Sequence, residues 1–184
     1  MQPATEKFPI ARFGAVAIAL HWLIAAGIVT GVAFGLISGA TDTPEVTQSM
    51  LAVHSSIGTV VLVLAIFRAA WRLTHPIPAP LPAPGAQIIA ASVTHGLLYF
   101  LLFALPVTGY IGLAARGRAI TIFGLFDLPR LVPLSRSLSS TSQSLHDNGQ
   151  YVLYMLLAMH VGAALYHQYV VKDRIMARMW PQRP

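Results

Sequence analysis

Cysteine is absent from all 184 residues. Disulfides, iron–sulfur clusters and thiolate-ligated zinc or haem are excluded with it. Charge is scarce: 10% of the chain, against about a quarter in a soluble domain. Acid is scarcer still, with six Asp and Glu facing twelve Lys and Arg. The basic excess does not describe a nucleic-acid binder, because the Lys and Arg flank apolar runs instead of clustering with exposed aromatics. A cleavable leader is not expected: the first apolar run starts after Arg12, is too long for an h-region and lacks a small-residue cleavage site. What the chain has in quantity is hydrophobic sequence, 55% of it, together with seven histidines.

The apolar residues fall into four runs, predicting an all-α, four-helix transmembrane bundle in one domain, residues 1–184. The spans are placed at about 15–38, 49–73, 88–114 and 142–171. Pro44 in the linker TDTPEVTQ stops the first helix. HPIPAPLPAPG, residues 75–85, is a stiff polyproline-like connector. Pro106 bends the third span, as membrane helices allow. Residues 115–140 form a long loop whose apolar stretch Ile120–Leu128 is too short to span and is expected as a short surface helix. Ser140 with Gln143 fits a capping box at the start of span four.

An even number of spans puts both termini on one side. Lys7, Arg12, Arg68, Arg72, Lys172, Arg174, Arg178 and Arg183 flank that side, and Arg116, Arg118, Arg130 and Arg136 the other. By the positive-inside rule the termini are cytoplasmic.

The last span, His146 to His167, carries three histidines and no charge between Asp147 and Lys172. His146 and His160 are fourteen residues apart, so they share a face to within about 40° and stand about 21 Å apart along it. His167 follows seven residues later on the same face. Ionisable residues at membrane depth mark functional sites. Depth then pairs them: His21 with His160 in the cytoplasmic half, His54 with His146 in the outer half. No carboxylate lies beside either pair, which argues against di-iron sites, and two histidines underfill a zinc site. Haem needs only axial ligands. The small residues Gly14, Ala15, Ala17, Ala19, Ala25, Gly27, Gly31, Gly58, Gly149, Gly162, Ala163 and Ala164 would leave room for a flat macrocycle, although such residues more often serve close helix packing.

The segments ALHW (19–22), HSSIG (54–58), RAAWR (68–72), THGLLYFLLFALPVTGY (94–110) and HDNGQYVLYMLLAMHVGAALYHQYVVKD (146–173) resemble the bacterial cytochrome b561 family over nearly the whole chain. The likeness is greatest to the stand-alone superoxide oxidase members. The resemblance implies two haem b groups, ligated by His21, His54, His146 and His160. It implies electron flow from superoxide to ubiquinone in the bacterial inner (cytoplasmic) membrane. Similar cytochromes also serve as quinone-side subunits of dehydrogenases, so an electron-transfer subunit with such a partner is the alternative. A haem-free channel or transporter is a weaker third reading.

Of the remaining residues, His95, His167 and Lys172 are candidates for quinone contact, since a quinone carbonyl needs a donor and its reduction needs protons. Arg68 and Arg72 are candidates for haem propionates or a semiquinone anion. For Arg68, Arg72 and Lys172 the competing reading is a positive-inside anchor; for His95 and His167 it is helix–helix hydrogen bonding. His75 reads as an exposed turn residue, and Trp22, Trp71 and Trp180 as interfacial anchors or packing. On the outer side Arg116, Arg118, Arg130 and Arg136, facing only Asp127 and Asp147, are candidates for steering superoxide, with anionic membrane lipid as the competing partner.

Overall fold

The computed structural model describes residues 11–79, 83–173 and 175–180. Lys7, Arg174 and Arg183 of the basic count, and part of the proline-rich connector, lie outside the described residues. The helices are α1 (Ala15–Ala40), α2 (Pro44–Thr74), α3 (Gly85–Ala114) and α4 (Arg136–Tyr166). Each has at least 26 residues, about 39 Å of helix, enough to cross a bilayer. In hydrocarbon a helix satisfies its backbone polar groups internally, which is why these sequences are helical at all.

Three of the helices, α1 to α3, are apolar enough to cross a membrane on composition. α4 is less apolar because its first turns are rich in serine. Two of those serines are buried against protein: Ser139 donates to Gly112 O at 2.7 Å, and Ser142 is enclosed as well. α4 also starts earlier than the capping-box reading placed it. Ser135 is the N-cap and accepts from Leu138 N at 3.1 Å, so Ser140 and Gln143 lie inside the helix. At the other junction Pro44 opens α2, where its missing N–H costs nothing.

The helices pair as two hairpins, α1 on α2 and α3 on α4, which meet along α2 and α3. Among the described residues α4 has no comparably extended approach to α1 or α2. Glycine sets the close contacts within each hairpin. A Cβ at Gly27 would stand 2.6 Å from Val61 Cγ2, and one at Gly149 would stand 2.8 Å from Leu105 Cδ2. These glycines serve helix packing, as does Gly31 against Ile57. At mid-depth Leu101, Leu105, Leu153 and Leu156 form the apolar core, with Ile28 of α1 packed against it.

The long loop is not a short helix. Thr121–Ile122 (β1) and Phe126–Asp127 (β2) pair antiparallel. The turn between them needs positive φ at Phe123 (48°) and Gly124 (73°), and the inward faces of Ile120 and Ile122 are buried. Glycine at the second position and β-branched residues in the arm favour a hairpin over a helical turn. The hairpin stands on α2 through Ser56, which is 1% exposed. Ser56 Oγ lies 3.3 Å from Thr121 O and accepts from Phe123 N at 3.0 Å. Tyr110 pins the rest of the loop, donating to Pro129 O at 2.6 Å and accepting from Leu131 N at 2.8 Å.

Ser56→Ala should therefore free the hairpin while sparing α2. Leaving the Phe123 N–H without its partner costs about 1–3 kcal/mol. Hydrogen exchange should accelerate at Phe123 and Leu125 and stay unchanged in the second half of α2. Equal protection at Phe123 in both proteins would mean that Ser56 does not hold the loop.

Candidate functional site

The histidines meet across the space between the two hairpins, and they meet in the pairs that depth predicts. His54 of α2 faces His146 of α4 with ring centres 5.9 Å apart and planes at 84°. His21 of α1 faces His160 of α4 at 6.2 Å and 67°. An imidazole nitrogen bonded to a metal ion at about 2.0–2.1 Å puts its ring centre about 3 Å from the ion, so two rings on opposite sides of one ion stand about 6 Å apart. All four rings are half-buried. The Leu101, Leu105, Leu153 and Leu156 cluster lies between the two pairs.

The outer pair is aimed by backbone carbonyls. His54 Nδ1 lies 2.8 Å from Gly31 O, and His146 Nδ1 lies 2.9 Å from Leu105 O. A carbonyl can only accept, so each Nδ1 carries the hydrogen and each Nε2 keeps its lone pair. That is the second-shell arrangement of a metal-ligating histidine. Each ring also lies against a glycine. A Cβ at Gly35 would come within 3.0 Å of His54 Nδ1, and one at Gly109 within 3.1 Å of His146. Sequence reasoning did not single out Gly35 or Gly109. The available signal was spacing, since Gly31 and Gly35 are one turn apart and Gly109 follows the ALP stretch.

The inner pair has a third histidine beside it. His95 of α3 stands 5.3 Å from His160, ring centre to ring centre. Arg68 Nη1 donates to Ala17 O at 2.6 Å, one turn before His21. Arg72 sits over the Tyr99 ring at 5.5 Å. His167 and Lys172 do not join this cluster. They lie in a π-helical turn, His167–Val171, that continues α4, with Lys172 as its left-handed cap (φ 60°). His167 Nδ1 pairs with Asp173 Oδ2, a partner that sequence reasoning missed. Among the described residues no group of three or more His, Cys, Asp or Glu forms a cage for a metal ion.

Below the inner pair the tail folds back onto α1. Trp22 Nε1 donates to Met179 O at 2.8 Å, and Trp22 meets Trp180 edge-on at 5.6 Å. Trp22 and Trp180 are thus packing residues, while Trp71 stacks on His75 at 3.5 Å at the end of α2. Arg178 is not a solvated anchor. It is 6% exposed, donates to Ala11 O (2.9 Å) and Ala79 O (2.7 Å), and lies over Phe13.

On the opposite face all four loop arginines are exposed. They divide between two clefts. Arg116 and Arg136 line one of about 760 Å³ with Ser135, Ser139 and Ser140. Arg118 and Arg130 line another of about 230 Å³, which also contains Asp127. Arg116 Nε is fixed by Ser139 Oγ at 2.7 Å. Ser139 is seven residues before His146, about 10 Å along α4.

Comparison with known proteins shows the family. Residues 12–182 match the family model described as prokaryotic cytochrome b561. Cytochrome b561 homolog 2 of Escherichia coli K12 is 31% identical over 91% of this chain and 90% of its own length. A probable superoxide oxidase, CybB, of Yersinia pestis is 31% identical over 94% of this chain and 97% of its own. Cytochrome b562 of Cereibacter sphaeroides is 28% identical over 90% and 93%.

Arg178→Ala should release the tail from α1, since two hydrogen bonds from a buried guanidinium are lost, a cost on the order of 3 kcal/mol. Trp22 and Trp180 then become wetter, and tryptophan emission should shift to the red. An unshifted spectrum would mean that the tail is held without Arg178.

Proposed function

The chain belongs to the prokaryotic cytochrome b561 family, and from that premise we propose that it carries two haem b groups and passes electrons from superoxide on the outer face to ubiquinone on the inner face. As a family member it is a haem-binding, multi-pass electron-transfer protein of the bacterial inner membrane. The observation that carries the finer reading is the pair of histidine pairs, 5.9 and 6.2 Å between ring centres, at opposite depths.

In this reading His54 and His146 hold the outer haem, His21 and His160 the inner one, and both termini are cytoplasmic. Gly31 O and Leu105 O hold the Nδ1 atoms of His54 and His146, leaving each Nε2 as the atom that would bind the haem iron. Gly35 and Gly109 let those rings lie close to α1 and α3. Haem held by these histidines would supply one-electron transfer, with no position left at the metal for a substrate. Substrates therefore meet haem edges, and the chain's own residues must bring them there. Outside, the exposed arginines attract a small anion. A relative bearing the name of a probable superoxide oxidase supports superoxide as that anion. Inside, His95 beside His160 and His167 below it are the groups that would donate to a quinone, with Lys172 at the same level. Arg68 and Arg72 would hold propionates or anionic charge on the quinone.

Each pair should fail separately. His54→Ala or His146→Ala should lower haem content to about one per chain, and so should His21→Ala or His160→Ala, because an iron with one protein ligand is poorly held. Gly109→Val, which drives a side chain into His146, should reproduce the outer loss without removing a ligand. Redox titration distinguishes the haem that remains. If His21 and His146 variants lost the same haem, the pairing would be wrong.

Steering supplies the test of substrate. The rate of haem reduction by superoxide should fall with ionic strength, since the Debye length shrinks from about 10 Å at 0.1 M to about 3 Å at 1 M. Replacing Arg116, Arg118, Arg130 and Arg136 by Gln should lower that rate and flatten its salt dependence, with the haem spectrum unchanged. No reduction by superoxide in stopped flow would favour the alternative, a cytochrome subunit handing a dehydrogenase's electrons to quinone.

A further inference from the structure

α4 does not end as an ordinary helix. After Tyr166 it widens into a π-helical turn in which Lys172 N donates to His167 O at 2.7 Å, and Lys172 itself takes the left-handed conformation, φ 60° and ψ 30°. A non-glycine residue there is uncommon, and π turns concentrate at functional sites. The consequence is specific. In a continuous α-helix, residues six apart stand about 120° around and about 9 Å along from each other. Here the widened turn and the left-handed cap bring Asp173 back onto His167, with Oδ2 2.5 Å from Nδ1. Asp173 Oδ1 is engaged as well, accepting from Ile175 N at 3.0 Å. Both carboxylate oxygens are thus fixed, and both side chains are half-buried.

We propose that His167 and Asp173 form a proton-delivery dyad for quinone reduction, with His167 the donor and Asp173 its positioning residue. The inference rests on the reading that quinone is reduced at this end of the bundle. A carboxylate on Nδ1 keeps the hydrogen on that nitrogen and leaves Nε2 as the working atom. Position supports the role. His167 is seven residues beyond His160, within about 20° of it around α4 and about 10 Å further along. The proposed haem ligand His160 and the proposed proton donor His167 thus lie on one face, one above the other. Met179 and Trp180, a few residues beyond Asp173, pack on Trp22 beside His21.

The reaction balances as follows. Two superoxide ions lose one electron each and leave as O2. The quinone takes those two electrons and two protons to become a quinol. One proton leaves Nε2 of a protonated His167 for the quinone oxygen facing it, and the second reaches the opposite oxygen from cytoplasmic water. The ring stays hydrogen-bonded through Nδ1 to Asp173 and is reprotonated at Nε2 from cytoplasmic water.

The test uses haem-loaded protein in detergent with decylubiquinone as acceptor. Asp173→Asn should keep haem content, optical spectrum and the rate of haem reduction by superoxide. Reoxidation by decylubiquinone should slow by about tenfold or more, and by about 100-fold or more in His167→Gln, since positioned proton transfer contributes about 10²–10⁴-fold. The solvent deuterium isotope effect on reoxidation should grow in Asp173→Asn, and Asp173→Glu should recover part of the rate. Histidine ¹⁵N spectra of the wild type should show His167 with a hydrogen on Nδ1, whereas the isotope effect and the Asp173→Glu recovery are what a merely structural aspartate would not produce. Reoxidation at the wild-type rate in Asp173→Asn overturns the dyad alone. A wild-type His167 carrying its hydrogen on Nε2 does the same, and it decides the matter even if Asp173→Asn fails to fold. A wild-type protein that never passes electrons to decylubiquinone overturns the quinone reading, and the dyad's role with it.

Discussion

An imidazole inside a bilayer has to be aimed. A neutral ring has one donor and one acceptor, and in hydrocarbon an unpaired polar atom is expensive. The carbonyls of Gly31 and Leu105 resolve this for the outer pair by taking the Nδ1 hydrogens. Much of the surrounding structure follows from where those carbonyls lie. α1 must approach α2 closely enough for Gly31 O to reach His54, which glycines at 27, 31 and 35 allow. α3 must approach α4 in the same way, which Gly109, Gly112 and Gly149 allow. Each hairpin is therefore tight inside, and the histidines reach across from one hairpin to the other.

The two ends of the bundle are built differently. The loop end is closed by a hairpin standing on Ser56, two residues from His54, and is rimmed by exposed arginines. The opposite end is floored by the tail, held by Arg178 and the Trp22–Trp180 contact. Between them lies a leucine cluster with no polar side chain. Such a partition suits a protein that moves electrons between two separate sites.

Much of this was legible in the sequence. Length and hydropathy gave the helices, because a bilayer admits few other structures for such runs. Helical periodicity placed His146 and His160 on one face, and alternating direction matched them in depth with His54 and His21. The errors have local causes. Ile120–Leu128 was read as a short helix, but its conformation is set by positive φ at Phe123 and Gly124 and by a distant serine on α2. The start of α4 was placed too late, because serines buried against α3 look like a polar loop. The small residues were read as room for a macrocycle or, more often, close helix packing; Gly27, Gly31 and Gly149 pack against neighbouring side chains, while Gly14, Gly58 and Gly162 face open space.

The sequence by itself determined the helices, the pairing of histidines by depth and the exclusion of thiolate chemistry, since each follows from composition and from a period within one element. Tertiary structure alone decided which carbonyl aims each outer ring, which glycines let the rings in, and that Asp173 returns to His167. Those depend on approaches of a few ångströms between segments up to 41 residues apart in the histidine–carbonyl contacts, and on one π turn and one left-handed lysine. No one-dimensional period encodes them, because they arise only when two helices pack or a chain reverses.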